Sequence, residues 1–241
     1  DRFFTFPRLE KELTLRFERK GKEFDMTVAP VSSDAMKTLL YDSWVDENRR
    51  IVDSLSGGRV AYVYMKDMGT QSLEKFLIDM TGIALGKEAL ILDIRNNRGG
   101  NVHDDVIRFL SQKPYLEWQA RNGKRSPQPN FAPSGVPIIL LVNEQSLSDA
   151  EMTAAAFRQL KMGTIVGTET YRWIIFTSGR TLVDGSSTRL PAWGCYDLEG
   201  NDLEATGVKP DIYVRTTFGD MQKGADPQLV AAVEEALGAL H

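Results

Sequence analysis

Two short polar segments carry the residue types that acyl transfer requires. One is Asn143-Glu144-Gln145-Ser146-Leu147-Ser148-Asp149-Ala150-Glu151, set between a wholly apolar run and an Ala-rich stretch. Ser148 stands where a helix would start, and a helix N-terminus favours the charge of an alkoxide or tetrahedral intermediate. The same residues also fit a purely architectural role. Ser148 and Glu151 have the S-x-x-E spacing of a capping box, which by itself explains both. The other segment is Asn97-Arg98-Gly99-Gly100-Asn101. Two glycines let the chain turn sharply and leave backbone N–H groups uncovered, as an anion or oxyanion site needs. A tight strand-to-helix turn would use the same glycines.

Other nucleophiles and bases are few. His103 and His241 are the only histidines, and Cys195 is the only cysteine. His103 reads first as a residue flanking a helix and second as a base beside the glycine turn. Cys195 has no histidine near it in sequence and reads as buried bulk. Glu204, in Gly200-Asn201-Asp202-Leu203-Glu204-Ala205-Thr206-Gly207, is on its own a loop carboxylate. A single cysteine excludes an internal disulfide and a cysteine-based structural zinc site. No metal or organic cofactor is implied.

The elements that must position these residues read as an α/β core. Ala89–Ile94 and Val136–Val142 are nearly continuous apolar runs, the mark of strands buried on both faces. Val60–Met65 and Thr164–Gly167 read as further strands. Helices are expected near Gln71–Leu85, Asp104–Ser111 and Ser148–Lys161, the last closed by Gly163 as its C′ residue. Strands alternating with helices argue for largely parallel pairing, and ligands then bind beyond the strands' carboxyl ends. Residues 173–214 are β-rich, and a last helix spans Pro227–Leu240. Ahead of the core, Leu13–Glu18 and Glu23–Val28 alternate as hairpin strands around Arg19-Lys20-Gly21-Lys22. Ser33–Trp44 and Glu47–Leu55 are expected as two short helices.

The chain has 241 residues, 29 Lys and Arg against 33 Asp and Glu, and 42% hydrophobic residues. That length and composition suit one large globular domain with a sizeable core. A net charge of −4 gives no basic field for nucleic acid. The longest wholly apolar run is far short of a bilayer span. The opening DRFFTFPRLEKEL shows no signal-peptide core and no initiator Met, as expected of a processed or engineered chain or of a piece of something longer.

In combination the motifs resemble the C-terminal processing peptidase family of serine peptidases, and more narrowly its tricorn branch. The resemblance runs from about Arg59 to Leu240. It is carried by NRGG after one strand, SLSDAE after the next, then GTIVGTET, GNDLEATGVKPDIYV and GADPQLVAAVEEAL. The entry YDSWVDENRRIVDSLSGGRVAYVYMKDMG is also similar. What the resemblance implies is a crotonase/ClpP-like ββα catalytic core with a β-rich C-terminal part, over residues 59–241. A helical connector would span 31–58, and 1–30 would be the remnant of a PDZ-like β domain.

Carried over residue by residue, Ser148 matches the nucleophile and Asp149 a backbone oxyanion donor. The Gly99-Gly100 turn matches the other donor, and Glu204 matches the acidic member of a Ser-His-Ser-Glu tetrad. The carboxyl-terminal processing branch uses a Ser-Lys dyad instead; the position of its lysine holds Trp173, which favours the tricorn branch. The tetrad's His and second Ser belong to an upstream helical domain, so a base from outside this chain is expected. Where the pattern has Thr-Trp-Gly-Gly, this chain has Thr170-Tyr171-Arg172-Trp173, which sets Arg172 and Trp173 beside the expected cleft. The implied protein is a cytoplasmic homo-oligomer acting on peptides, with no nucleic-acid or membrane partner. A catalytically decayed peptide-binding or scaffold module is the second reading. An acyl-CoA enzyme of the crotonase-like class is a third, opposed by the serine motif and the GVKPD tail.

Overall fold

The computed structural model describes residues 12–129, 133 and 135–240; His241 lies outside them. Its contacts divide the chain into two compact units, residues 1–47 and 48–241.

The first unit contains an antiparallel hairpin of β1 (Leu13–Arg19) and β2 (Lys22–Val28). Lys20 and Gly21 take φ of 53° and 73° at its turn, the conformation of a two-residue primed turn. Phe17 stacks on Phe24 across the pair at 5.6 Å. α1 (Ser33–Ser56) follows as one continuous helix, not two. The correction has a local cause: Val45-Asp46-Glu47 contains neither Gly nor Pro, so nothing interrupts the helical hydrogen bonds.

The second unit is built on a five-stranded parallel sheet in the order β11-β8-β7-β4-β3. Its strands are β3 (Val60–Tyr64), β4 (Ala89–Asp93), β7 (Ile138–Val142), β8 (Thr164–Gly167) and β11 (Ile212–Tyr213). Every residue of β3, β4 and β7 is buried, as strands covered on both faces require. Between them run α2 (Thr70–Thr81), α3 (His103–Leu110) and α4 (Asp149–Gln159). Phe76, Met80, Val106, Leu110, Ala154 and Phe157 of these helices share one core cluster with Ala61, Val63, Leu90, Leu92, Ile138 and Leu140. α7 (Pro227–Gly238) packs on β3, β4, β7 and β8 through Leu229, Ala232, Val233 and Ala236.

Three further pieces complete the unit. β5 (Leu116–Gln119) and β6 (Arg125–Gln128) form an exposed hairpin, as do β9 (Phe176–Thr181) and β10 (Ser187–Trp193). Short helices α5 (Leu203–Thr206) and α6 (Phe218–Gln222) lie in the C-terminal part. α4 ends at Gln159, and Lys161, at φ 51°, supplies the left-handed residue expected of Gly163. Gly163 has another constraint: a Cβ there would run into the Ile138 carbonyl of β7. No described helix is long and apolar enough to cross a membrane.

Candidate active site

The two candidate segments follow β4 and β7, neighbouring parallel strands at the centre of the sheet. Leu90 pairs with Ile138 and Asp93 with Leu141, so both strands deliver their carboxyl ends to the same place. Side chains and backbone then stitch the two turns together. Asn96 N–H donates to Asn143 Oδ1 at 2.9 Å, and Asn143 Nδ2 donates back to Asn96 Oδ1 at 3.0 Å. Leu147 N–H donates to the Asn97 carbonyl at 3.0 Å. Ser146 Oγ is fully buried, accepts from Asn143 N–H and donates to the Ile94 carbonyl at 2.8 Å. It is committed to holding the turn and is not an accessible nucleophile.

Ser148 stands between this turn and α4 with φ 57° and ψ −119°. A serine that only caps a helix has extended backbone angles and its hydroxyl accepts from the first turn. Here the left-handed backbone is strained by roughly 1–3 kcal/mol, and the Glu151 N–H bonds the Ser148 carbonyl, 2.9 Å. The Ser148 hydroxyl keeps the capping-box position facing the Glu151 N–H but makes no directed hydrogen bond with it. The carboxylate half of the box is made: Glu151 Oε2 accepts from Ser148 N–H at 2.9 Å. Among the described residues Ser148 Oγ has no hydrogen-bond partner.

Ser148 lines a cleft of about 260 Å³ with Gly100, Asn101, Asp149, Met152, the segment 174–177 and Arg189. Gly99 is packed against its inner side. A Cβ on Gly99 would lie 2.6 Å from Ser148 Cβ and 3.0 Å from Asp149 N, and its φ is 78°. Only glycine fits there. The Gly99 N–H donates to Asn97 Oδ1 at 2.9 Å and so is not available as an oxyanion donor. Gly100 N–H and Asp149 N–H donate to no protein acceptor among the described residues. A Cβ on Gly100 would collide with the Met68 carbonyl, to which Asn101 N–H donates at 2.8 Å.

Three residues acquire roles that spacing alone does not disclose. Glu151 has no exposed surface, and beyond Ser148 N–H it accepts from Trp173 N–H (2.8 Å), Arg172 N–H (2.8 Å) and Thr170 Oγ1 (2.7 Å). One carboxylate thus fastens the segment 170–173 to the serine turn. The Asp149 side chain turns away from the cleft. Its Oδ2 accepts from Val102 N–H (2.7 Å) and His103 N–H (3.1 Å) at the start of α3, and its Oδ1 lies 2.5 Å from His103 Nδ1. That close approach is an ion pair when the imidazole is protonated. The Asp149 contact holds the His103 imidazole above its ordinary pKa, with burial opposing and Asp104 and Asp105 assisting. His103 Nε2 faces Asp104 at 3.5 Å, so His103 flanks its helix and neither ring nitrogen bonds Ser148. The buried dispositions of Glu151 and Asp149 were foreshadowed only by S-x-x-E and by the residue following Ser148.

The remaining candidates lie around this centre. Arg172 has φ 69° and pairs with Glu169 at 2.5 Å; Trp173 is half exposed and leans on Tyr171, 5.8 Å between rings. Neither lines the cleft; Ile174 to Thr177, just after them, do. Glu204 is exposed on α5 with its N–H on Asp202 Oδ1 at 3.0 Å, and its carboxylate has no partner among the described residues. Burial pushes the Cys195 thiol up, with Asp202 and Glu151 adding to it, so a thiolate nucleophile is disfavoured. The arrangement supplies an unengaged hydroxyl at a helix start and two free N–H donors beside it, as nucleophilic attack on a carbonyl requires.

Residues 59–214 match the sequence pattern of peptidase family S41. The tricorn protease homologue 1 of Streptomyces coelicolor is 33% identical over 234 residues, 95% of this chain and 21% of its own length. The tricorn protease of Thermoplasma acidophilum is 30% identical over 223 residues, covering 92% of this chain and 20% of its own length. A crystal structure of the tricorn protease superposes with a TM-score of 0.84 at 29% identity, over 95% of this chain and 22% of that one. The chain spans about a fifth of the length of these relatives.

Proposed function

Because the chain belongs to peptidase family S41 of serine-type peptidases, we propose that it is the serine-bearing core of an endopeptidase that hydrolyses short peptides through an acyl-enzyme. Ser148 Oγ attacks the scissile carbonyl and its proton passes to a base. Asp149 N–H and Gly100 N–H hold the oxyanion. The base returns its proton to the departing amine, and water then releases the acyl group from Ser148 by the same route. A histidine from outside these residues acts as that base, with Glu204 orienting it; the unpartnered Glu204 carboxylate suits such a role. One observation carries this reading: a serine on a strained turn with its hydroxyl unengaged in a cleft, next to two free N–H donors.

The same reading gives the wider assignments. Residues 59–241 form a crotonase/ClpP-like catalytic core and residues 31–58 a connector. Residues 1–30 are the end of a PDZ-like domain. The whole protein is a cytoplasmic homo-oligomer that cuts peptides, with its His supplied by an upstream domain or another chain. The second reading, a decayed peptide-binding module, is favoured by Arg172, which holds a left-handed conformation better suited to glycine.

A fluorophosphonate probe tests the nucleophile in a polypeptide extended upstream of Asp1. The expected adduct maps to the peptide containing Ser148 and disappears in Ser148→Ala. An adduct elsewhere, or none, contradicts the assignment.

A further inference from the structure

The cleft at Ser148 presents one formal charge of its own. Asp149 lines it with its backbone, while its carboxylate is turned to Val102 and His103. Met152, Ile174, Ile175 and Phe176 are apolar. Arg189, on β10, is the remaining charged residue of the lining. Arg16, Arg59, Arg95, Arg125, Arg158 and Arg172 each face a carboxylate of this chain, whereas Arg98, Arg180 and Arg215, outside the cleft lining, face none among the described residues. Arg189 faces none among the described residues; its Nε and Nη2 donate to Thr177 Oγ1 on the paired strand β9, at 2.9 and 2.5 Å. Thr177 orients the guanidinium without neutralising it. The Nη1 edge is left with donors and no acceptor among the described residues, at an exposed position on the rim of the cleft.

A planar guanidinium fork is complementary to a carboxylate. We propose that Arg189 is a specificity-determining residue of this cleft, taking a carboxylate of the bound peptide. That carboxylate is an Asp or Glu side chain or the peptide's own C-terminus. The inference rests on the Ser148 cleft being where the peptide binds.

The test is binding, so that it does not depend on the base. The 241-residue chain carrying Ser148→Ala is titrated into three fluorescein-labelled hexapeptides of otherwise neutral sequence. One is blocked at both ends, one is blocked and carries a single Glu, and one has a free C-terminal carboxylate. At least one carboxylate peptide is expected to bind about ten-fold tighter than the neutral one, near the lower end for a charged hydrogen bond, and which one identifies the source. In Arg189→Gln that ratio falls to about one, and Arg189→Lys keeps part of it. A purely structural role would weaken all peptides together and leave the ratio, which overturns the proposal. Equal affinities in the parent chain overturn it while leaving the peptide cleft intact. No binding of any peptide overturns the cleft reading as well.

Discussion

Glu151 joins four donors drawn from two segments, three of them backbone N–H groups. Each buried donor left unpaired costs roughly 1–3 kcal/mol. Glu151→Ala is therefore expected to lower stability by about 3 kcal/mol or more in urea unfolding, and to increase amide exchange at Arg172 and Trp173 before other sites. A loss under 1 kcal/mol would mean that water replaces the carboxylate. His103 gives a pH dependence whose sign follows from its contact with Asp149. Its folded pKa is raised above the ordinary 6.5. The stabilisation is fully present below the unfolded value and is lost as pH rises through the raised folded value. Urea midpoints should thus fall across that window in the parent chain, and Asp149→Asn should flatten this component. Asp104 and Asp105 also face His103 and leave a small residue of the effect. At this scale the sequence shows Ser148 and the glycine turn, because spacing and glycine carry their own geometry. It does not show that Glu151 reaches Thr170 or that Asp149 reaches His103, since those contacts are made by the fold.

The elements that hold the site are anchored beneath it by a buried charge cluster. Asp93, at the end of β4, accepts from Arg95 Nε and Nη2 and from Tyr62 Oη, and has no exposed surface. Arg95 Nη1 reaches on to Asp226, the residue that caps α7. The strand, the turn that follows it and α7 are thereby fixed together. Asp93→Ala leaves the Arg95 charge buried without its nearest counterion and is expected to cost about 3–5 kcal/mol. Asp226→Ala, at a more exposed position, should cost less. Thermal or denaturant unfolding of both variants checks the order, and equal small losses would contradict it. The parallel strands were legible because doubly buried strands read as apolar runs. α1 runs unbroken where two helices are expected, because its polar middle contains no breaker. The β5–β6 hairpin is hard to read from the sequence, since its strands are exposed, the alternation of Leu116-Glu117-Trp118-Gln119 lasts only four residues, and Arg125-Ser126-Pro127-Gln128 has none.

Across the whole molecule, the described residues bring together a serine without a hydrogen-bond partner and two free N–H donors, and no described histidine bonds that serine. His103 is committed to Asp149. A serine without a base is a weak nucleophile at neutral pH. The most direct measurement is hydrolysis of a fluorogenic peptide by the 241-residue chain and by a polypeptide extended upstream to include a histidine-bearing helical domain, each with and without Ser148→Ala. Near-background turnover is expected of the short chain. A gain of several orders of magnitude is expected on extension, abolished by Ser148→Ala, as for other nucleophiles of catalytic triads. Vigorous Ser148-dependent cleavage by the short chain alone would contradict a base supplied from outside, because a base within these residues would then be at work.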